Sequence, residues 1–364
     1  MKTKTSSTFG LKLMQAARKK RFPLRVLFEL TYRCNFKCGY CYVPESYKRM
    51  YKDELTTREV FSILDQLAEI GCLYLGFTGG EPFLREDFFD ILTYAKKKGF
   101  QIIIHTNGSC IDEEKADLLM RLALNKVDIA LQAMSEISFE RISGVPGSCE
   151  RVFRAIELLG KRGINLSFKT CVLKENTGEI AAIRNFVRRL SAVHRLDDLL
   201  SPRLDGSRRP YQHRGMMRHQ EIMRLLSDRY KRSACVQARR PGKQQGYPEE
   251  AAQLPSPRQL FRCGAGISQA VITPAGELKL CLMIDYPKYK ILDSSLREAW
   301  DGCVKIIDSV VLDGTFACVR CSLRDYCKWC PGRGWLHARD FTACDPECRK
   351  RARSLRGFLE RLAR

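Results

Sequence analysis

Between positions 24 and 201, short runs of β-branched and aromatic residues alternate with segments whose apolar positions recur every three to four residues. That alternation is the pattern of strands and amphipathic helices taken in turn. Strands are predicted at 24–30, 72–78, 100–106, 126–132, 164–172 and 196–201. The helices between them carry their own signals. Thr56-Thr57-Arg58-Glu59 is a capping box, followed by Val60, Ile63, Leu64 and Leu67 on one face. Phe88, Ile91, Leu92 and Ala95 form a second stripe, and Val152, Phe153, Ile156 and Leu159 another. Each stripe needs a sheet to cover it. Strands separated by helices pair in parallel, so the expectation is an α/β fold built from six βα units.

After position 201 the pattern stops. Turn-forming residues occupy 201–207, and 241–257 is rich in Pro, Gly and Gln, which brackets a linker. Within it, 217–232 can form a bridging helix through Ile222, Met223, Leu225 and Leu226. Beyond 257 lies a cysteine-dense segment with few periodic runs, expected to be held by metal more than by apolar packing. The last helix has the stripe Leu355, Phe358, Leu359 and Leu362. The expected organisation is a basic N-terminal segment (1–21), the α/β unit (22–201), the linker (202–257), a cysteine-rich unit (258–348) and a basic C-terminal helix (349–364).

Composition narrows the classes. The chain has 364 residues, 45% hydrophobic, with mean hydropathy −0.28, enough for a substantial core. No apolar run reaches the ~20 residues of a membrane span, and no export signal follows the basic start. A cytoplasmic location is therefore expected. The 17 cysteines read there as thiols instead of disulfides. Of these, Cys72, Cys110, Cys149, Cys171, Cys235 and Cys303 stand alone and are assigned to packing. The net charge of +22 comes from 63 Lys and Arg against 41 Asp and Glu. Its excess falls at 195–243 (13 basic, 5 acidic) and 346–364 (7 basic, 2 acidic). Solvated surface explains such runs, and so does an anionic partner.

The chemistry begins at Cys34-Asn35-Phe36-Lys37-Cys38-Gly39-Tyr40-Cys41. Three thiolates within eight residues, directly after the first strand, can hold three corners of an iron–sulfur cube and leave one iron open to a ligand. A zinc site completed from elsewhere is the alternative. The next two strands end in Thr78-Gly79-Gly80-Glu81-Pro82 and Thr106-Asn107-Gly108. In parallel α/β barrels the C-terminal strand ends converge on the active site. The glycines would let a ligand approach the backbone, and Glu81 would neutralise a cationic amine. Ordinary turns have the same composition.

These residues resemble the radical S-adenosylmethionine (SAM) enzymes, whose signature is Cys-x3-Cys-x2-Cys with an aromatic, here Tyr40, before the last cysteine. The resemblance runs over about 24–201 and implies a partial (β/α)6 TIM-type barrel. It implies a [4Fe–4S] cluster on Cys34, Cys38 and Cys41, whose open iron chelates SAM. Gly79, Gly80, Glu81 and Pro82 would meet the methionine amino group, with Thr106 and Asn107 beside them. Reductive cleavage would then give a 5'-deoxyadenosyl radical that takes hydrogen from a substrate. Where relatives carry a Ser-Leu-Asp-Gly-like stretch, this chain has Leu131-Gln132-Ala133-Met134-Ser135. Gln132 or Ser135 would contact the ribose, and Lys169 and Thr170 the ribose or carboxylate; each reads equally as an interior polar residue.

The later cysteines follow Cys263-x12-Gly276-x4-Cys281 and Cys318-x2-Cys321-x5-Cys327-x2-Cys330, then Cys344 and Cys348. Taken alone they suit zinc ribbons. Beside the first motif they resemble the SPASM domain of radical SAM enzymes, which holds one or two auxiliary [4Fe–4S] clusters. The resemblance implies Cys318, Cys321 and Cys327 with Cys348 or Cys344 on one cluster. It implies Cys263, Cys281 and Cys330 on the other, with no evident fourth ligand. It further implies a peptide or protein substrate that is crosslinked or oxidised, a flavodoxin- or ferredoxin-type electron donor, and for a leader peptide a separate carrier protein. The rival readings are a cofactor precursor or RNA as substrate, and a sulfatase-maturing enzyme. The last is disfavoured because Leu282 stands where that branch has Asp. Most remote is a zinc-ribbon protein binding nucleic acid through its charge.

Overall fold

Six parallel strands form in the order of the chain: β1 (Arg25–Thr31), β2 (Tyr74–Gly79), β3 (Gln101–Thr106), β4 (Lys126–Ala130), β5 (Leu166–Cys171) and β6 (Val193–Asp197). The computed structural model describes residues 4–49, 51–214, 260–261, 263–311, 318, 321–327 and 330–362. The predicted bridging helix at 217–232, the turn-rich 241–257 and Cys235 lie outside the described residues. The first five strands fall where the alternation places them, whereas the sixth begins three residues before the predicted 196. That strand is partly exposed throughout, so no buried alternation marks its start.

The helices cover the sheet through their predicted stripes. Helix α1 (Lys4–Lys20) forms where the sequence shows only a basic segment. Helix α2 (Thr57–Glu69) starts at the capping box of Thr56 and Glu59, and buries Val60, Ile63, Leu64 and Leu67. Helix α3 (Phe88–Lys97) buries its four-residue stripe. Helices α4 (Glu113–Arg121), α5 (Glu136–Ser143), α6 (Ser148–Lys161) and α7 (Ile180–Arg189) complete the layer. In α6 Phe153 is only half-buried, while Ala155 and Leu158 join the core. Along β1 the buried Val26, Phe28 and Leu30 alternate with Leu27, Glu29 and Thr31 on the opposite, inner face.

The sheet does not stop at β1. Strand β7 (Gln269–Ile272), from the cysteine-rich region, pairs in parallel with β1, in the register Arg25↔Gln269 to Phe28↔Ile272. Strands β8 (Glu277–Lys279) and β9 (Lys288–Lys290) follow antiparallel, giving nine strands in one sheet among the described residues. Lys279 and Glu29, 3% and 0% exposed, pair at 3.1 Å across this junction. Glu29 also accepts from the hydroxyls of Tyr42 at 2.7 Å and Tyr32 at 3.1 Å. A buried charge pair is tolerable only when its remaining lone pairs are satisfied in this way.

A one-turn helix α8 (Pro210–Arg214) precedes the undescribed stretch; helices α9 (Leu296–Ser309), α10 (Pro331–Ala338) and α11 (Pro346–Leu362) belong to the cysteine-rich region. Trp300 of α9 is fully buried, and its indole donates to the Arg21 carbonyl at 2.8 Å. Helix α11 starts early enough to carry Cys348. It buries Leu355 and packs Phe358 and Leu359 on the core, while the Leu362 side chain lies outside the described set. Two buried arginines fasten this region to the chain beyond β6. Arg351 bonds Asp198 at 2.8 Å, and Arg333 bonds Asp345 at 2.6 Å and the Leu200 carbonyl at 2.9 Å. Among the described residues no helix is long and apolar enough to cross a membrane.

Candidate active site and thiol groups

The loop after β1 carries Cys34, Cys38 and Cys41, all partly buried. It is shaped by its own backbone. Cys41 N–H donates to the Cys38 carbonyl at 3.1 Å, and Lys37 N–H to the Ser143 carbonyl at 2.7 Å. Phe36 N–H points at Cys34 Sγ at 3.4 Å, and the Tyr40 hydroxyl bonds the Cys38 thiol. A side chain at Gly39 would collide with the imidazole of His213 in α8, so that ring closes over the loop.

Gly79 and Gly80 are required by the protein itself. A Cβ on Gly79, whose φ is +126°, would strike the Thr31 carbonyl oxygen, and one on Gly80 would strike that of Arg33. The freed space lets Gly80 N–H reach Thr31 O at 2.7 Å and Glu81 N–H reach Arg33 O at 2.8 Å. The end of β2 is thereby stitched to the chain entering the cysteine loop. Both glycines thus serve a close approach of backbone to backbone.

Glu81 is fully buried and does not present its carboxylate to a ligand. It accepts from Thr106 Oγ1 at 2.7 Å, Asn107 N–H at 2.7 Å and Phe83 N–H at 3.3 Å. Burial pushes its pKa up to about 7, against the pull of these donors. Pro82 opens the buried turn that follows. Asn107 passes the connection on, donating to Asn35 Oδ1 at 2.8 Å and lying 3.9 Å from Cys34 Sγ. The Cys loop, Gly79, Gly80, Glu81, Thr106 and Asn107 are thus brought together at one end of the sheet.

Ser135 is not brought there, whereas Gln132 lies just beyond β4 beside Cys171. Gln132 is buried, accepting from Cys171 N–H at 3.0 Å and facing the Lys169 carbonyl. Ser135 caps α5 and bonds Glu179 at 2.6 Å. Thr170 donates to the Leu131 carbonyl at 2.6 Å on the helix-covered face. Lys169 does face inward, paired with Asp197 at 3.0 Å. Beside it on the inner face, His105 and Asp128 pair at 2.9 Å. The sequence reading missed Asn35, His213 and Cys171. Asn35 sits inside the motif unmarked by its type, whereas Cys171 is two residues from Lys169 on the same strand face and lies close enough to Tyr40 to raise its pKa and to Cys41 to have its own raised.

Seven of the eight later thiols fall into two groups. Burial and then the neighbouring thiols push Cys318, Cys327 and Cys344 up, with Cys321 among the neighbours of all three, and a turn links Cys321 N–H to the Cys318 carbonyl at 3.4 Å. Cys281 senses Cys330 and Cys263. Cys348 lies between the groups, sensing Cys327 and Cys330, with Sγ 3.6 Å from Asp345 Oδ2. Cys344 lines one cleft with Cys318 and Cys321.

Burial pushes Cys34, Cys281 and Cys318 up to about 12, a cost that a cationic metal centre offsets by binding the thiolates.

Residues 28–187 match the model of the radical SAM superfamily. The chain is 23% identical over 337 residues to an AdoMet-dependent heme synthase of Oleidesulfovibrio alaskensis, covering 89% of this chain and 86% of that protein. It is 28% identical over 289 residues to a PqqA peptide cyclase of Gluconobacter oxydans, covering 77% and 76%. Streptococcus suis SuiB bound to its precursor peptide SuiA shares the fold, with a TM-score of 0.66 over 96% of this chain and 82% of that one at 17% identity.

Proposed function

We propose that this chain, whose residues 28–187 match the radical SAM superfamily, is a radical SAM enzyme with a SPASM-type cysteine-rich extension and [4Fe–4S] and SAM cofactors, and that it modifies a peptide or protein substrate. The observation that carries the reading is the meeting of the Cys34–Cys41 thiols with the Gly79–Gly80 backbone and Asn107 at one end of a parallel sheet. In this reading Cys34, Cys38 and Cys41 hold the cluster. When bound, it supplies the electron that cleaves the SAM sulfonium and so yields the radical that takes hydrogen from the substrate.

The chain's own residues do the positioning. Glu81 holds Thr106 and the Asn107 backbone, so the β3 end cannot drift from the cysteine loop. Tyr40 bonds the Cys38 thiol, and the His213 imidazole packs against Gly39. Lys169, Asp197, His105 and Asp128 make the inner face polar and leave it partly open, a surface suited to the amides and charges of a peptide. Cys318, Cys321 and Cys327 with Cys344 or Cys348 would hold one auxiliary cluster, and Cys263, Cys281 and Cys330 the other.

Similarity to PqqA peptide cyclase and the shared fold with SuiB support the peptide reading. Similarity to AdoMet-dependent heme synthase supports a second one, in which a carboxylate-bearing cofactor precursor occupies the same polar face. The deciding experiment incubates anaerobically reconstituted enzyme with SAM and dithionite, and either a candidate acidic precursor peptide or an iron coproporphyrin. The proposal expects 5'-deoxyadenosine in both, and altered mass and fragmentation in the peptide alone. Conversion of the porphyrin with an untouched peptide would select the second reading.

A further inference from the structure

Helix α11 carries Arg349, Arg353 and Arg356 at i, i+4 and i+7, all exposed, so three guanidinium groups share one face. That face and the thiols of Cys318, Cys321 and Cys344 line a single cleft of about 630 Å³. Glu360 also lines it, paired with Arg356 at 2.8 Å. On the other side of the helix, Arg351 is buried against Asp198, and Leu355 is buried in the core. The arginine face is therefore held at a fixed distance from the thiols.

We propose that this cleft is the docking surface for a small acidic protein that carries single electrons. The inference rests on the reading that Cys318, Cys321, Cys327 and Cys344 hold an iron–sulfur cluster. A cluster there would have its edge at a surface opening. Arginine stays charged at any working pH, and a positive face beside a redox edge steers an acidic partner to the one place where transfer is short. The exchange moves one electron from carrier to cluster, with no bond made and no proton transferred. Nucleic acid would be drawn by the same charge, but it gives no reason for the thiols to open into the cleft.

The test uses the full chain, reconstituted anaerobically, with fully reduced flavodoxin as the probe. Loss of the visible iron–sulfur absorbance is followed by stopped flow. Reversing all three charges (Arg349→Glu, Arg353→Glu, Arg356→Glu) should slow reduction by about tenfold or more at low ionic strength, and the difference should shrink as salt is added. Replacing the same three by Lys should retain most of the rate. Reduction by dithionite, which needs no docking, should match the unmodified chain. Should the triple variant lose iron, Arg353→Glu alone must give a smaller slowing.

A charge-reversed protein with full iron that flavodoxin reduces at the unmodified rate overturns the inference and leaves the proposed function standing. So does a variant reduced normally that has instead lost affinity for RNA or an acidic peptide. An unmodified chain that takes up no iron removes both the inference and the function it rests on.

Discussion

Asn107 donates through Nδ2 to Asn35 Oδ1 at 2.8 Å, and Asn35 donates through its own Nδ2 to Ser109 Oγ at the same distance. One pair of amides thus ties the loop after β3 to the loop that carries the three cysteines. Asn107 Oδ1 meanwhile accepts from Ser109 N–H and its hydroxyl, so its orientation is set from both ends.

Asn107→Ala should therefore do more than trim a turn. It leaves the Ser109 N–H and the Asn35 oxygen without their partner in a buried setting, a loss of about 1–3 kcal/mol. Urea unfolding should register that loss, and iron bound at the first site should fall with it. Stability and iron content equal to the parent would mean that water replaces the amide fully.

Glu81 sets a pH dependence whose sign follows from its burial. Its pKa is pushed up to about 7, so the folded chain keeps a proton that the unfolded chain releases near 4.5. The stability from this group is present below about 4.5 and lost as pH rises through 7, by about 3 kcal/mol in all. Metal-free protein compared with Glu81→Gln by urea unfolding at several pH values should show the parent losing ground to the variant over that window. A pH-independent difference would contradict the assignment.

Glu29→Gln should be severely destabilising, by about 3–5 kcal/mol, because it strands the Lys279 ammonium without a counter-charge in the junction between β1 and β8. Lys279→Met should cost less, since Glu29 keeps the hydroxyls of Tyr32 and Tyr42. Thermal unfolding of both variants measures the order; the reverse order would mean the pair is not what joins the two regions.

The two cysteines of the C-terminal segment should separate in an iron assay. Cys344→Ser removes a thiol from the group with Cys318, Cys321 and Cys327 and should lower iron by about four per chain. Cys348→Ser, whose thiol neighbours Cys330 as well as Cys327, should instead alter the electron paramagnetic resonance signal of the centre on Cys330 while the other persists. Identical losses of signal in both variants would dissolve the grouping.

Much of this architecture is legible in the chain. The alternation at Leu24, Val26, Phe28 and Leu30 and the stripe at Val60, Ile63, Leu64 and Leu67 each mark a buried face. Burial on one side of a strand or helix imposes a period that propensity alone does not. The sixth strand fails that test because neither of its faces is fully buried. Helix α1 was missed because its basic residues hide a weak apolar stripe that buries Ala17. At the site, cysteine spacing marked the thiols, while the amide of Asn35 and the imidazole of His213 had no such signal.

By itself the sequence determined which residues could carry chemistry and which faces must be covered, because both follow from side-chain type and local period. Tertiary structure decided the pairings that lie far apart in the chain: β7 beside β1, Lys279 against Glu29, Cys344 with Cys318. It also turned Glu81 onto Thr106 and Asn107. Those outcomes depend on which backbones pack within hydrogen-bonding distance and which charges burial forces together. Neither is encoded in the spacing of residues along a single segment.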